Sequence, residues 1–228
     1  QKKPQTESSD DALRLASLHK AAPEIDPDIL SKALEARACA QSSGRAVQAQ
    51  RLAVIDYTRP STQRRLWIFD LASGRLLFSE YVAHGRGSGD NFAAVFSNTD
   101  GSHASSLGLF ETAETYVGGN GYSLRLDGLE PGFNDRARDR AIVMHGAWYV
   151  DPILAQRQGR LGRSYGCPAV RQAIARPVID ALKSGQLLFA YYPDTAWLKS
   201  TRMLGCKSPL AMKSDGHIGQ QIPARARN

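Results

Sequence analysis

Between Arg51 and Tyr192 the chain spells short runs of β-branched, aromatic and aliphatic residues separated by turn chemistry, and this rhythm confines it to a sheet-dominated fold. The runs are Arg51 to Thr58, Arg65 to Leu71, Arg75 to His84, Leu107 to Thr115, Tyr122 to Leu126, Ile142 to His145 and Leu187 to Tyr192. Each is short enough to be a strand, and Ala72-Ser73-Gly74 supplies a hairpin loop between the second and third. Helical spacing is expected over Arg171 to Lys183, with a short closing helix around Thr195 to Leu204. The predicted class is mainly β: a mostly antiparallel β-sandwich with flanking helices.

A helical extension precedes the sheet. Gln1 to Asp10 are polar and expected to be disordered. Leu13, Leu15 and Leu18 mark one helix from Asp11, and Ile29, Leu30, Ala33, Leu34 and Ala38 a second, after the Pro23/Pro27 break. Asp26-Pro27-Asp28 is a start signal for the second, because proline fits the first turn and carboxylates favour the positive end of the helix dipole. Gln41-Ser42-Ser43-Gly44 reads as a linker. The expected division is therefore residues 1–44 as a disordered start with a helical extension, 45–205 as the main domain, and 206–228 as a basic tail. At 228 residues and 42% hydrophobic content, one good core is the sensible expectation.

A net charge of +7 raises the question of a polyanionic partner. The cations are scattered in small groups, Arg136/Arg138/Arg140, Arg157/Arg160/Arg163 and the tail from Lys213, with no aromatic platform or nucleic-acid motif, so no nucleic-acid partner is expected. No apolar run reaches the roughly 18 residues of a membrane span, so no integral membrane segment is expected. The chain starts at Gln1 rather than Met, which suits either a removed signal peptide or a trimmed chain.

Chemistry concentrates on one cysteine. Gly162-Arg163-Ser164-Tyr165-Gly166-Cys167-Pro168 follows His145-Gly146, which ends the buried strand Ala141-Ile142-Val143-Met144. A thiol attacks acyl groups as thiolate, and a histidine within reach accepts its proton. Glycines around Cys167 allow a tight turn whose N–H groups can converge on a substrate oxygen. The turn and its arginines predict an exposed thiol of lowered pKa; the bland alternatives are a buried structural cysteine and a core histidine satisfied by backbone. Of the other two cysteines, Cys39 and Cys206 form an even pair once Cys167 is kept free; a disulfide is expected, two unpaired small hydrophobes being the alternative.

His-Gly, a gap of about two dozen residues, then Ser-x-Gly-Cys resembles the signature of the L,D-transpeptidase catalytic domain, the YkuD-like fold of bacterial cell-wall enzymes. The resemblance runs from about Leu52 to Pro193 and includes Gly101-Ser102-His103-Ala104-Ser105-Ser106-Leu107-Gly108. It implies Cys167 as nucleophile, His145 as base, Ser164 as the motif hydroxyl and Gly166 as the motif glycine. Tyr165 stands where the common motif has a second histidine, and Pro168-Ala169-Val170-Arg171 replaces the usual short step from Cys to Arg.

The implied activity is a cysteine-dependent L,D-transpeptidase. It forms a thioester with the stem tetrapeptide at diaminopimelate and passes it to an amine to make a 3-3 crosslink. An L,D-carboxypeptidase or protein-to-wall anchoring enzyme would use the same thioester, and a non-catalytic peptidoglycan-binding module is the alternative of another class. Peptidoglycan stem peptides and carbapenem-type inhibitors are the implied partners, in the periplasm or cell envelope, with no cofactor. Arg163 or Arg160 is expected to pair with a diaminopimelate carboxylate, against the alternative of solvated loop charge. Trp148 begins a segment whose stretch Gln156 to Gly162 is expected to be a loop arching over the site. His103, Ser105 and Tyr165 are expected to line the cleft. His84, His103 and His145 lack metal-ligand spacing, so no metal site is expected.

Overall fold

The computed structural model describes the backbone from Gln5 to Cys206 and side chains from Asp11 onward; residues 207–228, nearly all of the expected basic tail, lie outside the described residues. Helix α1 spans Gln5–Ala21 and α2 spans Pro27–Ser42. The helix thus reaches back over residues 5–10, where disorder was expected: once a turn is nucleated, each added residue gains a hydrogen bond at little further cost, so a polar stretch can be carried along. At α2 the Asp26 carboxylate accepts the Asp28 N–H at 2.8 Å, with Pro27 opening the first turn. Its buried face is Ile29, Leu30, Ala33, Leu34, Ala36, Cys39 and Ala40. All of these but Cys39 join Leu18, Ala22 and Ile25 in the same hydrophobic core as the sheet.

Nine strands follow: β1 Arg51–Asp56, β2 Leu66–Asp70, β3 Arg75–Glu80, β4 Val82–Ala83, β5 Gly108–Gly118, β6 Gly121–Gly128, β7 Val143–Ala147, β8 Ala169–Arg171 and β9 Leu187–Tyr191. Their order is β3-β2-β1-β9-β5-β6-β7-β8-β4. The first and last members of that order are separated in the chain by Tyr81 alone, so the sheet must curl until its two ends meet, which gives it two facing layers. Arg171 ties the closure, its Nε donating to Glu80 Oε2 at 2.9 Å. Pairing is mostly antiparallel, with β1/β9 and β7/β8 parallel. Trp67, Phe69, Phe189 and Trp197 are fully buried members of the shared core.

Three short helices flank the sheet: α3 Pro152–Gln158, α4 Ala175–Leu182 and α5 Thr195–Ser200. The helix expected from Arg171 starts later, because Arg171 belongs to β8 and residues 172–174 form a single tight turn. The expected loop over 156–162 is half helix. Asp151 caps α3 by accepting from Ile153 N–H at 2.7 Å, and Gly159 ends it at φ +78°. The excursion packs on its own small core of Val150, Ala155 and Leu161 against Ala83, Ala147 and Ala169. It is pinned by Gly162 N–H to Tyr149 O at 2.9 Å and Leu161 N–H to the Ser61 hydroxyl at 3.0 Å.

Candidate active site

The parallel pair β7/β8 brings the two motifs together. His145 is registered against Ala169, and two residues upstream Cys167 comes beside Val143, whose N–H lies 3.4 Å from Sγ. Gly146 has a packing reason: a Cβ there would come within 2.7 Å of Ala175 Cβ, so the glycine lets the start of α4 approach β7.

Ser164 and Gly166 build the turn. Ser164 Oγ donates to Cys167 O at 2.6 Å and accepts from Gly166 N–H at 3.1 Å, closing a four-residue loop from within. The Ser164 backbone pairs with the 84–86 segment: its N–H donates to His84 O at 3.0 Å and its carbonyl accepts from Arg86 N–H at 2.8 Å. Gly166 has φ +121° and little space around it, since a Cβ would lie 2.8 Å from Ile142 Cδ1 and 2.9 Å from Ala104 O. Ser105, expected in the cleft, is instead buried behind the turn, where its hydroxyl donates to Gly166 O at 3.2 Å and accepts from Gly85 N–H at 3.0 Å.

Cys167 is free and only 8% exposed, which corrects the expected open turn. Burial pushes its thiol pKa up, while the Val143 N–H and the Arg140 charge pull the other way. Burial also pushes His145 below its ordinary value. Both directions favour the uncharged forms, thiol and imidazole, over a thiolate–imidazolium pair. His145 Nδ1 lies 3.0 Å from Gly146 O. A carbonyl only accepts, so Nδ1 carries the proton and Nε2 keeps the lone pair a base needs. Sγ itself bonds to Val143 N–H and to Ala141 O at 3.7 Å rather than to His145; ligand-free sites often hold such contacts long until substrate arrives. The Gly166 N–H is spent on Ser164, but the N–H groups of Tyr165 and Cys167 meet no acceptor among the described residues.

The sign of these shifts sets a pH test. Alkylation of Cys167 by a neutral reagent should be slow at neutral pH and rise about tenfold per pH unit into the alkaline range, as thiolate forms. A rate already level between pH 6 and 8 would instead mean a standing thiolate–imidazolium pair and contradict the neutral resting state.

The other candidates divide. Tyr165 is 63% exposed and its ring centroid lies 4.6 Å from that of His103. Trp148 is exposed in the turn after β7, edge-on to Tyr149. Arg163 is committed elsewhere, to Gly89 O at 2.9 Å and Asp90 Oδ1 at 2.8 Å, and Arg160 Nε lies 3.8 Å from the same carboxylate. His84 is buried, with Nδ1 accepting from Arg65 at 2.7 Å, and its pKa is pushed down to about 4 by burial and the neighbouring cation. Among the described residues no group of three or more metal-ligating side chains occurs. Sequence reasoning missed Arg140, which counted only as scattered charge. Its guanidinium donates to Ser97 O, Ala104 O and the hydroxyls of Ser102 and Ser106, all within 3.2 Å, locking residues 97–106 beside the turn.

A thiol, an imidazole with a free lone pair and two unpaired N–H groups at one end of a curled β-sheet have the parts of an acyl-transfer site. The L,D-transpeptidase catalytic domain family matches residues 21–191, and the chain belongs to that family. No curated protein matches. Among solved structures, the LD transpeptidase LdtMt1 in complex with imipenem is similar at 14% identity and TM-score 0.37, covering 62% of this chain and 59% of that one. An L,D-transpeptidase from Mycobacterium smegmatis is similar at 13% identity and TM-score 0.38, covering 63% and 59%. This chain spans about three-fifths of the length of either structure.

Proposed function

We propose that the protein is a cysteine-dependent peptidoglycan L,D-transpeptidase that acts in the periplasm or cell envelope. Family membership over residues 21–191 supports the reaction class. The observation that carries the mechanism is the His145 tautomer, which leaves Nε2 as an acceptor on the strand beside the Cys167 turn.

In this reading His145 Nε2 takes the thiol proton as Sγ attacks the carbonyl at the L-centre of diaminopimelate. The oxyanion is met by the N–H groups of Tyr165 and Cys167, each contributing about 3 to 4 kcal/mol in comparable sites. The C–N bond to the terminal D-alanine breaks, His145 returns the proton to the departing amine, and a thioester remains. An acceptor amine attacks it, His145 takes the amine proton, the thiol is restored and a 3-3 crosslink is made. No step calls for a cofactor. Ser164 and Gly166 act by fixing the turn, and a Cys39–Cys206 bridge suits an oxidising compartment.

A carbapenem offers a strained carbonyl to the same thiol. Intact-mass spectrometry is expected to show one adduct per chain, absent in Cys167→Ser. No adduct after prolonged exposure would favour a non-catalytic binding module.

A further inference from the structure

Of the arginines around the nucleophile turn, all but one are matched to carboxylate or carbonyl oxygens. Arg163 pairs with Asp90, Arg171 with Glu80, and Arg140 spends its donors on residues 97–106. Arg86 has no carboxylate within ion-pair distance among the described residues. It is nevertheless held firmly. Its backbone N–H is bonded to Ser164 O, and its guanidinium carbon sits 4.4 Å from the Tyr165 ring centroid. Its Nε and Nη2 lie 3.4 and 3.3 Å from His103 Nδ1.

A guanidinium only donates, so His103 Nδ1 accepts and its Nε2 carries a proton, a second donor in the same group. His103 is kept at φ +54°, an uncommon conformation for a residue with a side chain and one that accumulates at ligand-binding positions. The result is an exposed cation stacked on Tyr165, which stands two residues before the nucleophile.

We propose that Arg86, braced by Tyr165 and His103, is the specificity-determining cation of the site and binds a carboxylate of the stem peptide beside the scissile bond. The inference rests on the transpeptidase reading. A fork already stacked on an aromatic face loses little freedom on binding and matches a carboxylate with two parallel hydrogen bonds. Two carboxylates flank the bond, that of the terminal D-alanine and that at the D-centre of diaminopimelate, and they offer the same chemistry.

The test is steady-state kinetics of the wild type, Arg86→Gln and Arg86→Lys on three donors: the free tetrapeptide, the peptide amidated at D-alanine, and the peptide amidated at diaminopimelate. Arg86→Gln is expected to raise KM for the free peptide about 10- to 100-fold with kcat far less affected, the loss of a charge-assisted contact, and Arg86→Lys to fall between. Amidating the carboxylate that Arg86 binds should cost the wild type a similar factor and cost Arg86→Gln nothing more, and which amide does so identifies the carboxylate. An unchanged KM in Arg86→Gln, or amidation penalties as large there as in the wild type, overturns the assignment while leaving the transpeptidase reading intact. A wild type that turns over none of the donors overturns both.

Discussion

Cys167→Ala is expected to abolish turnover of disaccharide-tetrapeptides while leaving thermal unfolding nearly unchanged. Among the described residues the thiol's only bonds are long contacts to Val143 N–H and Ala141 O, and alanine keeps the small buried volume almost filled. His145→Ala should cost about two to four decades in kcat, the scale of a positioned general base. Nucleophile and base act as one unit, so the double substitution should be no worse than Cys167→Ala alone. Full activity in Cys167→Ala, or a His145→Ala protein within a few-fold of wild type, would break the assignment.

The second large effect is on stability. Cys39, near the end of α2, is bonded to Cys206 beyond α5 with their Cα atoms 5.8 Å apart and a sequence separation of 167. Closing a loop of that length lowers the entropy of the unfolded chain by an amount equivalent to about 5 kcal/mol at most, since residual structure in that chain subtracts from it. One further bond crosses the same junction, Gly205 N–H to Glu35 Oε1. Reduction, which touches no other cystine among the described residues, is therefore expected to lower Tm by up to about 10 to 20 °C for a chain of this size. Two free thiols at Cys39 and Cys206 in protein from an oxidising compartment, or a Tm indifferent to reductant, would refute the staple.

Much of the architecture was legible because its signals are local. Strand runs such as Leu52 to Ile55 and Leu187 to Ala190 are continuously apolar, and continuous runs are what doubly covered strands require. The start of α2 was plain at Asp26-Pro27-Asp28. The same device at Asp151-Pro152 opens α3, and it was passed over because the polar, glycine-bearing stretch after it looked like a loop. Strand β8 was invisible: three residues, Ala169–Arg171, have no periodicity, and only pairing with β7 and β4 makes them a strand.

At the site, the sequence motifs put His145 at the end of a strand and Cys167 in a tight turn, but the burial that raises the thiol pKa is a tertiary fact. The arginine assignment exchanged partners for the same reason. Arg163 lies next to the motif in sequence yet pairs with Asp90, whereas Arg86, which carries no motif signal between Gly85 and Gly87, is brought to Tyr165 by backbone pairing across 78 positions.

The most direct test of the account is intact-mass spectrometry of the protein quenched shortly after mixing with disaccharide-tetrapeptide, with peptide mapping of any adduct and mass analysis of the released muropeptides. The expected result is an acyl group equal to the tetrapeptide donor less D-alanine, carried on the peptide containing Cys167, together with 3-3 crosslinked dimers in solution. Unmodified protein beside unchanged tetrapeptide, or an acyl group mapped to any residue other than Cys167, would contradict it.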